Sequence, residues 1–183
     1  LALISIFALF AYPITPSQLS LAGAFIIGIP SFFLSLQPNT ARVSGRFLPN
    51  VFSRALPPAL TDIAMVLSVV IIAPVFRLND AESSTVSGLL YAVVGMVTLF
   101  LVCQPFNRFR AVVWSGTAVL LLLSLIAAGR FFDFTMLGLN AALVFAVLAL
   151  LTPLVMFLFE HICKLGEKAV RTVIIKLKPI RKR

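Results

Sequence analysis

Residues 137–159 read LGLNAALVFAVLALLTPLVMFLF. A helix needs about 20 apolar residues to cross a hydrocarbon core of roughly 30 Å. This stretch is long enough. Working outward from it, residues 55–76, 86–106 and 111–129 are comparable segments. A fifth, residues 16–36, is interrupted by Gly28 and Pro30. Residues 1–12 are apolar but too short to span. The composition agrees: 61% hydrophobic and 11% charged, where a soluble domain carries about a quarter charged residues.

Backbone groups inside lipid must be satisfied within the segment, so only helices or closed barrels span a membrane. A barrel would show alternating strands of about ten residues, and none is present. The expected fold is therefore all-α: a polytopic transmembrane helix bundle over residues 1–160, with about five full helices and a truncated first one. A basic amphipathic tail, residues 161–183, follows. The chain opens on Leu1 with neither Met nor a charged n-region, which is unlike a signal peptide. It is expected to be the C-terminal piece of a longer protein, cut inside a helix.

Charge gives the threading. The connection 37–54 carries Arg42, Arg46 and Arg54, and the turn 107–110 carries Arg108 and Arg110. The tail carries eight further cations, whereas the alternate connections carry only Arg77 and Arg130, each near acids. Thirteen of the fifteen Lys and Arg residues thus fall on one side. The positive-inside rule makes that side cytoplasmic, so a multi-pass protein of the cell membrane with its C-terminus inside is expected. The cations flank membrane segments and form no patch with stacking aromatics, so nucleic acid is not an expected partner; the lipid bilayer is.

Small residues mark close helix contacts. Ser84, Gly88, Ala92 and Gly95 form one stripe; Ser20, Ala24, Gly28, Ser31 and Ser35 form another. Ordinary packing accounts for such stripes. In the tail, Ile162, Leu165, Ala169, Val173, Leu177 and Ile180 follow helical spacing, with Lys164, Lys168, Arg171, Lys178 and Lys182 on another face. Cys103 and Cys163 are too few for a disulfide scaffold. His161 stands without other ligands at metal spacing, so it reads as interfacial and no metal centre is expected.

Gly28-Ile29-Pro30 lies just past the middle of segment 16–36. Pro30 removes a hydrogen bond and clashes with the carbonyl of Ile26. It also disfavours helical backbone at Ile29. An unwound break is expected, and in transporters such breaks expose carbonyls that coordinate cations. A simple proline kink is the alternative. Asp62 is the one carboxylate inside an apolar segment, which makes it a functional candidate by default. Pro57-Pro58 precede it, so a second reading puts Asp62 in the first turn of a helix, interacting with the dipole. The segment 86–106 contains no acid; its polar residues are Ser87, Tyr91, Thr98 and Gln104.

The run Pro16-Ser17-Gln18-Leu19, then Gly28-Ile29-Pro30, then Gln37-Pro38-Asn39 resembles the sixth transmembrane helix of type-two P-type cation pumps, the calcium-ATPase-like family. That helix reads P-x-Q-L-x-x-x-N-x-x-T-D-G-x-P and closes on Asn-Pro. Ser44-Gly45-Arg46 and Arg54 resemble the family's link into helix seven. Motif-level similarity covers residues 13–54, and the topology of the whole chain is similar to the end of helix five through helix ten. The phrase from Gly28 to Asn39 looks most like a bacterial branch, some members of which are associated with calcium.

The resemblance implies a membrane-embedded part of an ATP-driven pump for a divalent, calcium-like cation, anchoring the protein and forming part of its ion path. Ser20, Gly23, Gly28, Pro30 and Asp62 are the ion-path candidates. Where the family motif has Asn, Thr and Asp, this chain has Gly23, Ile26 and Ile27, none with a side-chain oxygen. Calcium takes six to eight oxygens, so the remainder of the same pump and backbone carbonyls would have to supply them, and one ion rather than two is implied. ATP and Mg2+ are implied for the full-length protein only. The chain holds no D-K-T-G motif, P-loop or glycine-rich phosphate cradle, so no catalytic or cofactor-binding residue is assigned. A secondary transporter or channel fragment with a broken helix, or a purely structural membrane domain, are the alternative readings.

Overall fold

The computed structural model describes residues 13–37 and 47–177. The short segment 1–12, the Pro38-Asn39 and Ser44-Gly45-Arg46 parts of the motif, and residues 178–183 lie outside the described residues. The architecture is an all-α bundle of five helices long and apolar enough to cross a membrane. They are α1 (Pro16–Ser35), α2 (Phe47–Ile72), α3 (Asp80–Val102), α4 (Arg108–Ala128) and α5 (Leu139–Leu177). A turn of 3-10 helix, Gly129–Phe132, extends α4.

Local chemistry sets the starts. Thr15 caps α1 in a reciprocal box with Gln18, and Pro16 occupies the first turn, where its missing N–H costs nothing. Asn79 and Glu82 form the same box on α3. Asp80 and Glu82 there also favour the positive end of the helix dipole. α3 therefore begins six residues before the segment 86–106 predicts. The Asn107 side chain caps α4 by accepting from Arg110 N–H at 2.9 Å.

Within the spans, hydroxyl groups turn back onto their own helices. Thr61 donates to Pro57 O at 2.8 Å, Ser68 to Ala64 O at 2.7 Å, Thr117 to Val113 O at 2.8 Å, and Thr152 to Leu148 O at 2.9 Å. A polar group in an apolar medium without a partner costs several kcal/mol, and this local bond removes that cost. It also gives the Pro57 carbonyl an extra donor.

α3 is the central helix, with 44% of its span buried against 17–28% for the others. On one side Val86, Leu90 and Val94 pack with Met65 and Val69 of α2 and Ala141, Val144 and Leu148 of α5. On the other, Ala92 packs with Leu21 of α1 and Leu121 of α4. Large apolar side chains such as Ile126 and Leu150 are exposed on the outside, where lipid would solvate them.

Two expectations are corrected. α1 is not unwound at Gly28-Ile29-Pro30: residues Gly23–Gly28 form a π-helical stretch, and α-helix resumes at Ile29. Ile29 keeps helical backbone (φ −60°, ψ −52°), and its N–H bonds Ala24 O, five residues back. The wider turn accommodates a residue lacking N–H without opening the helix. Second, Pro57 and Pro58 lie inside α2 and do not begin it. The tail is helical up to Leu177, where α5 continues without interruption from the membrane span.

Candidate functional site

The two ends of the bundle differ. At one end, Gln18 of α1 is 1% exposed and has every polar atom engaged. Its Oε1 accepts from Thr15 N–H at 3.3 Å and from Ser84 Oγ of α3 at 3.2 Å. Its Nε2 donates to Asp133 O at 3.1 Å. Ser17 Oγ donates to the Asp133 carboxylate. Gly88 makes room for this knot, since a Cβ there would lie 2.8 Å from Gln18 Oε1. Thr135 N–H donates to Thr85 Oγ1 at 3.1 Å, and Gly138 N–H to Glu82 Oε1 at 3.1 Å. The connection between α4 and α5 is thereby stitched to α1 and α3.

At the opposite end lie Gln37, Arg54, the turn before α4, and the Glu160–Lys164 pair of α5, 2.6 Å apart. Arg110 Nε donates to Gln37 Oε1 at 2.9 Å, which ties α4 to the end of α1. A cleft of about 460 Å³ is lined here by Arg54, Thr98, Gln104, Glu160 and Lys164. Cys103 is buried at this edge; burial pushes its thiol pKa up, and the nearby Arg110 charge pulls the other way. His161 is exposed. Connections expected on one side of the membrane are thus gathered at one end of the bundle.

The ion-path candidates are not brought together. Ser20 and Gly28 are exposed on α1, Gly23 is half-buried, and Pro30 is buried. Ser20 Oγ donates to Pro16 O at 2.8 Å. Ala24, Ser31 and Ser35 are exposed as well, so the α1 stripe has no helix against it among the described residues. The α3 stripe is filled by α1 itself. A Cβ on Gly95 would lie 2.7 Å from Ile26 Cγ2.

The three substituted motif positions point apart. Ile26 packs into the Gly95 notch, Ile27 is 59% exposed, and a Cβ at Gly23 would meet nothing within 4 Å. α1 packs on α3 and α4, whereas α2, which carries Asp62, packs on α3 and α5. α3 lies between the candidates. Asp62 sits well inside α2, which removes the first-turn dipole reading. Its carboxylate is half-buried, and Oδ1 has no partner among the described residues. Ser87 Oγ on α3 is likewise buried without a partner among the described residues. No group of three His, Cys, Asp or Glu side chains capable of holding a metal exists among the described residues.

Sequence reasoning missed the anchoring role of Gln18. A polar residue at the third position of a helix starting Thr-Pro signals a capping box, but the bonds to α3 and Asp133 depend on tertiary placement.

No family model matches the chain, and no solved structure does. Curated proteins do. The probable cation-transporting ATPase exp7 of Streptococcus pneumoniae is 32% identical over 106 residues, 57% of this chain and 14% of that protein. The calcium-transporting ATPase CtpE of Mycolicibacterium smegmatis is 28% identical over 127 residues, 66% of this chain and 16% of that protein. CtpE of Mycobacterium bovis is 28% identical over 120 residues, 62% and 15%. The chain therefore spans about one-seventh of the length of the relatives it matches. With the five-helix bundle, these similarities bear out the resemblance carried by residues 13–54: the chain is related to the P-type cation-transporting ATPases and fits a C-terminal transmembrane piece of one.

Proposed function

We propose that this chain is the C-terminal half of the membrane-embedded part of an ATP-driven pump for a divalent cation, calcium-like, which it anchors and whose ion path it helps to line. The observation that carries this is α1. Its motif matches helix six of the cation pumps in spacing, and its Ser20, Ala24, Gly28 face is unpartnered among the described residues. A face of small residues lets another helix approach closely, and the remainder of the pump would occupy it. ATP and Mg2+ would be handled by that remainder. The basic end of the bundle would face the cytoplasm of a cell whose membrane the protein spans several times.

Gly23, Ile26 and Ile27 offer no side-chain oxygen, so ligands come from backbone carbonyls of α1 and from other helices of the pump. Asp62 is the one described carboxylate deep within a spanning helix, and its unpartnered oxygen supports a role along the path. The secondary-transporter reading rested on an unwound helix, and α1 is continuous.

The full-length protein reconstituted in proteoliposomes tests the proposal. ATP hydrolysis should rise with one divalent cation, accompanied by its uptake into the vesicles. Hydrolysis indifferent to calcium, manganese and magnesium gradients, with no uptake, would refute it.

A further inference from the structure

The cleft of about 460 Å³ at the basic end is set between α2, α3 and α5. Along α5 it runs from Met156 to Lys164, which at 1.5 Å per residue is about 12 Å. One interfacial layer of a bilayer is roughly 5–7 Å thick, so the cleft passes through that layer and into the hydrocarbon. The helices mark the boundary themselves. The apolar span of α2 starts at Arg54 and that of α3 ends at Val102, and both residues line the cleft. Inward of them its wall is apolar, with Pro57 and Met156 buried at the base.

The polar groups near the mouth offer an excess of donors. Arg54 is exposed, and its guanidinium has no partner among the described residues. The Gln104 side-chain amide is also exposed and without a partner among them. Lys164 reaches Glu160, and an ammonium carries three N–H donors, so it has donors left. Glu160, the one acid of the cleft, is already met by that contact. Two cations therefore stand against one carboxylate. Such a site repels a metal ion and suits an oxyanion. A guanidinium matches phosphate with two parallel N–H donors, and basic pockets between transmembrane helices suit anionic lipid headgroups.

We propose that this cleft binds the headgroup phosphate of an anionic phospholipid, held by Arg54 and Lys164 with the Gln104 amide as a further donor. A phosphate free in solution would meet the same donors but leave the apolar base to water. The glycerol and first methylenes of a phospholipid cover that base. The site depends neither on which ion the pump carries nor on which side of the membrane the basic end faces.

Native mass spectrometry of the full-length protein, released from phosphatidylcholine nanodiscs doped with phosphatidylglycerol, counts the lipids that stay bound. Phosphatidylglycerol is expected to be retained in preference to phosphatidylcholine. Arg54→Gln and Lys164→Gln should each lower its retention about five-fold, the weight of one cation at an anionic surface, without lowering thermal stability in detergent. Glu160→Gln should raise it, because the competing carboxylate is gone. Arg108→Gln, at the same end of the bundle but outside the cleft, should change it little. Four results would overturn the proposal. Equal retention of both lipids would remove the anion preference. An equal loss in Arg108→Gln would assign the preference to the charge of this end as a whole. No change in Arg54→Gln or Lys164→Gln would mean that another part of the protein fills the cleft. A thermal stabilisation by inorganic phosphate as large as that by phosphatidylglycerol would assign the cleft to a soluble anion.

Discussion

Gln18 and Gly88 form a matched pair: the amide lies where a side chain on Gly88 would have to be, with Oε1 only 2.8 Å from the position of a Cβ. The contact is possible because α3 offers bare backbone at one point of its stripe. Gly88→Leu should therefore displace Gln18 and orphan Ser84 Oγ, Thr15 N–H and Asp133 O together. Overpacking of this kind costs about 1–3 kcal/mol, and a thermal-shift measurement in detergent should show a clear fall. Gln18→Ala should show a similar loss through unmade hydrogen bonds.

Ile26 and Gly95 make the second such pair, lower on α1. Gly95→Val alone should lower thermal stability, because the added side chain meets Ile26 at under 3 Å. The double variant Gly95→Val with Ile26→Ala should recover most of the loss. Additive losses in a double-mutant cycle would show that the two helices do not touch here.

Arrangement across the membrane is tested by labelling single cysteines in intact cells with an impermeant maleimide. Cysteines at Asn79 and Asp133 should react, and cysteines at Ser44 and Arg181 should not. The opposite pattern would invert the proposed orientation.

Asp62→Asn in the full-length protein should reduce cation-stimulated ATP hydrolysis at least about ten-fold without reducing the amount of folded protein. An intramembrane carboxylate is costly to keep, and its Oδ1 finds no partner among the described residues that would give a packing reason to keep it. Unchanged hydrolysis would take Asp62 out of the ion path.

Cys103 and Cys163 should separate kinetically. Burial raises the Cys103 pKa above that of an ordinary thiol, so its thiolate is scarcer at neutral pH, and thiolate is the reactive form. A permeant maleimide at pH 7 should modify Cys163 first. Its rate at Cys103 should still be climbing at pH values where a free thiol has levelled off. Equal rates would place Cys103 at an open surface.

The spans were legible because lipid imposes one requirement, sustained apolarity over about 20 residues, and residues 137–159 meet it on composition alone. Charge placement sorted the connections in the same way. What escaped was chemistry finer than hydropathy. The segment 86–106 begins late because the polar first turn of α3 scores as a loop, although Asn79 and Glu82 spell a capping box. The break at Pro30 was expected because the proline rule assumes an α-helix; a π-turn satisfies the same constraint with another bonding register. Pro57-Pro58 suggested a helix start for the same reason. At the site, the substitutions Gly23, Ile26 and Ile27 could be counted in the sequence, but their divergent directions follow from the packing of Ile26 on Gly95.

The wide turn at Gly23–Gly28 has a geometric effect beyond accommodating Pro30. In a regular α-helix each step of four residues advances by 400°, so a stripe with that spacing winds around the axis by about 40° per step. A turn that takes in an extra residue rotates less per residue and cancels much of that winding. Ser20, Ala24 and Gly28 are thereby kept within a narrow strip of the exposed side. The outcome is a nearly axial furrow rather than a spiral one. A second straight helix could lie along it at a shallow crossing angle for most of its length, where a spiral furrow would let it touch only at a single point.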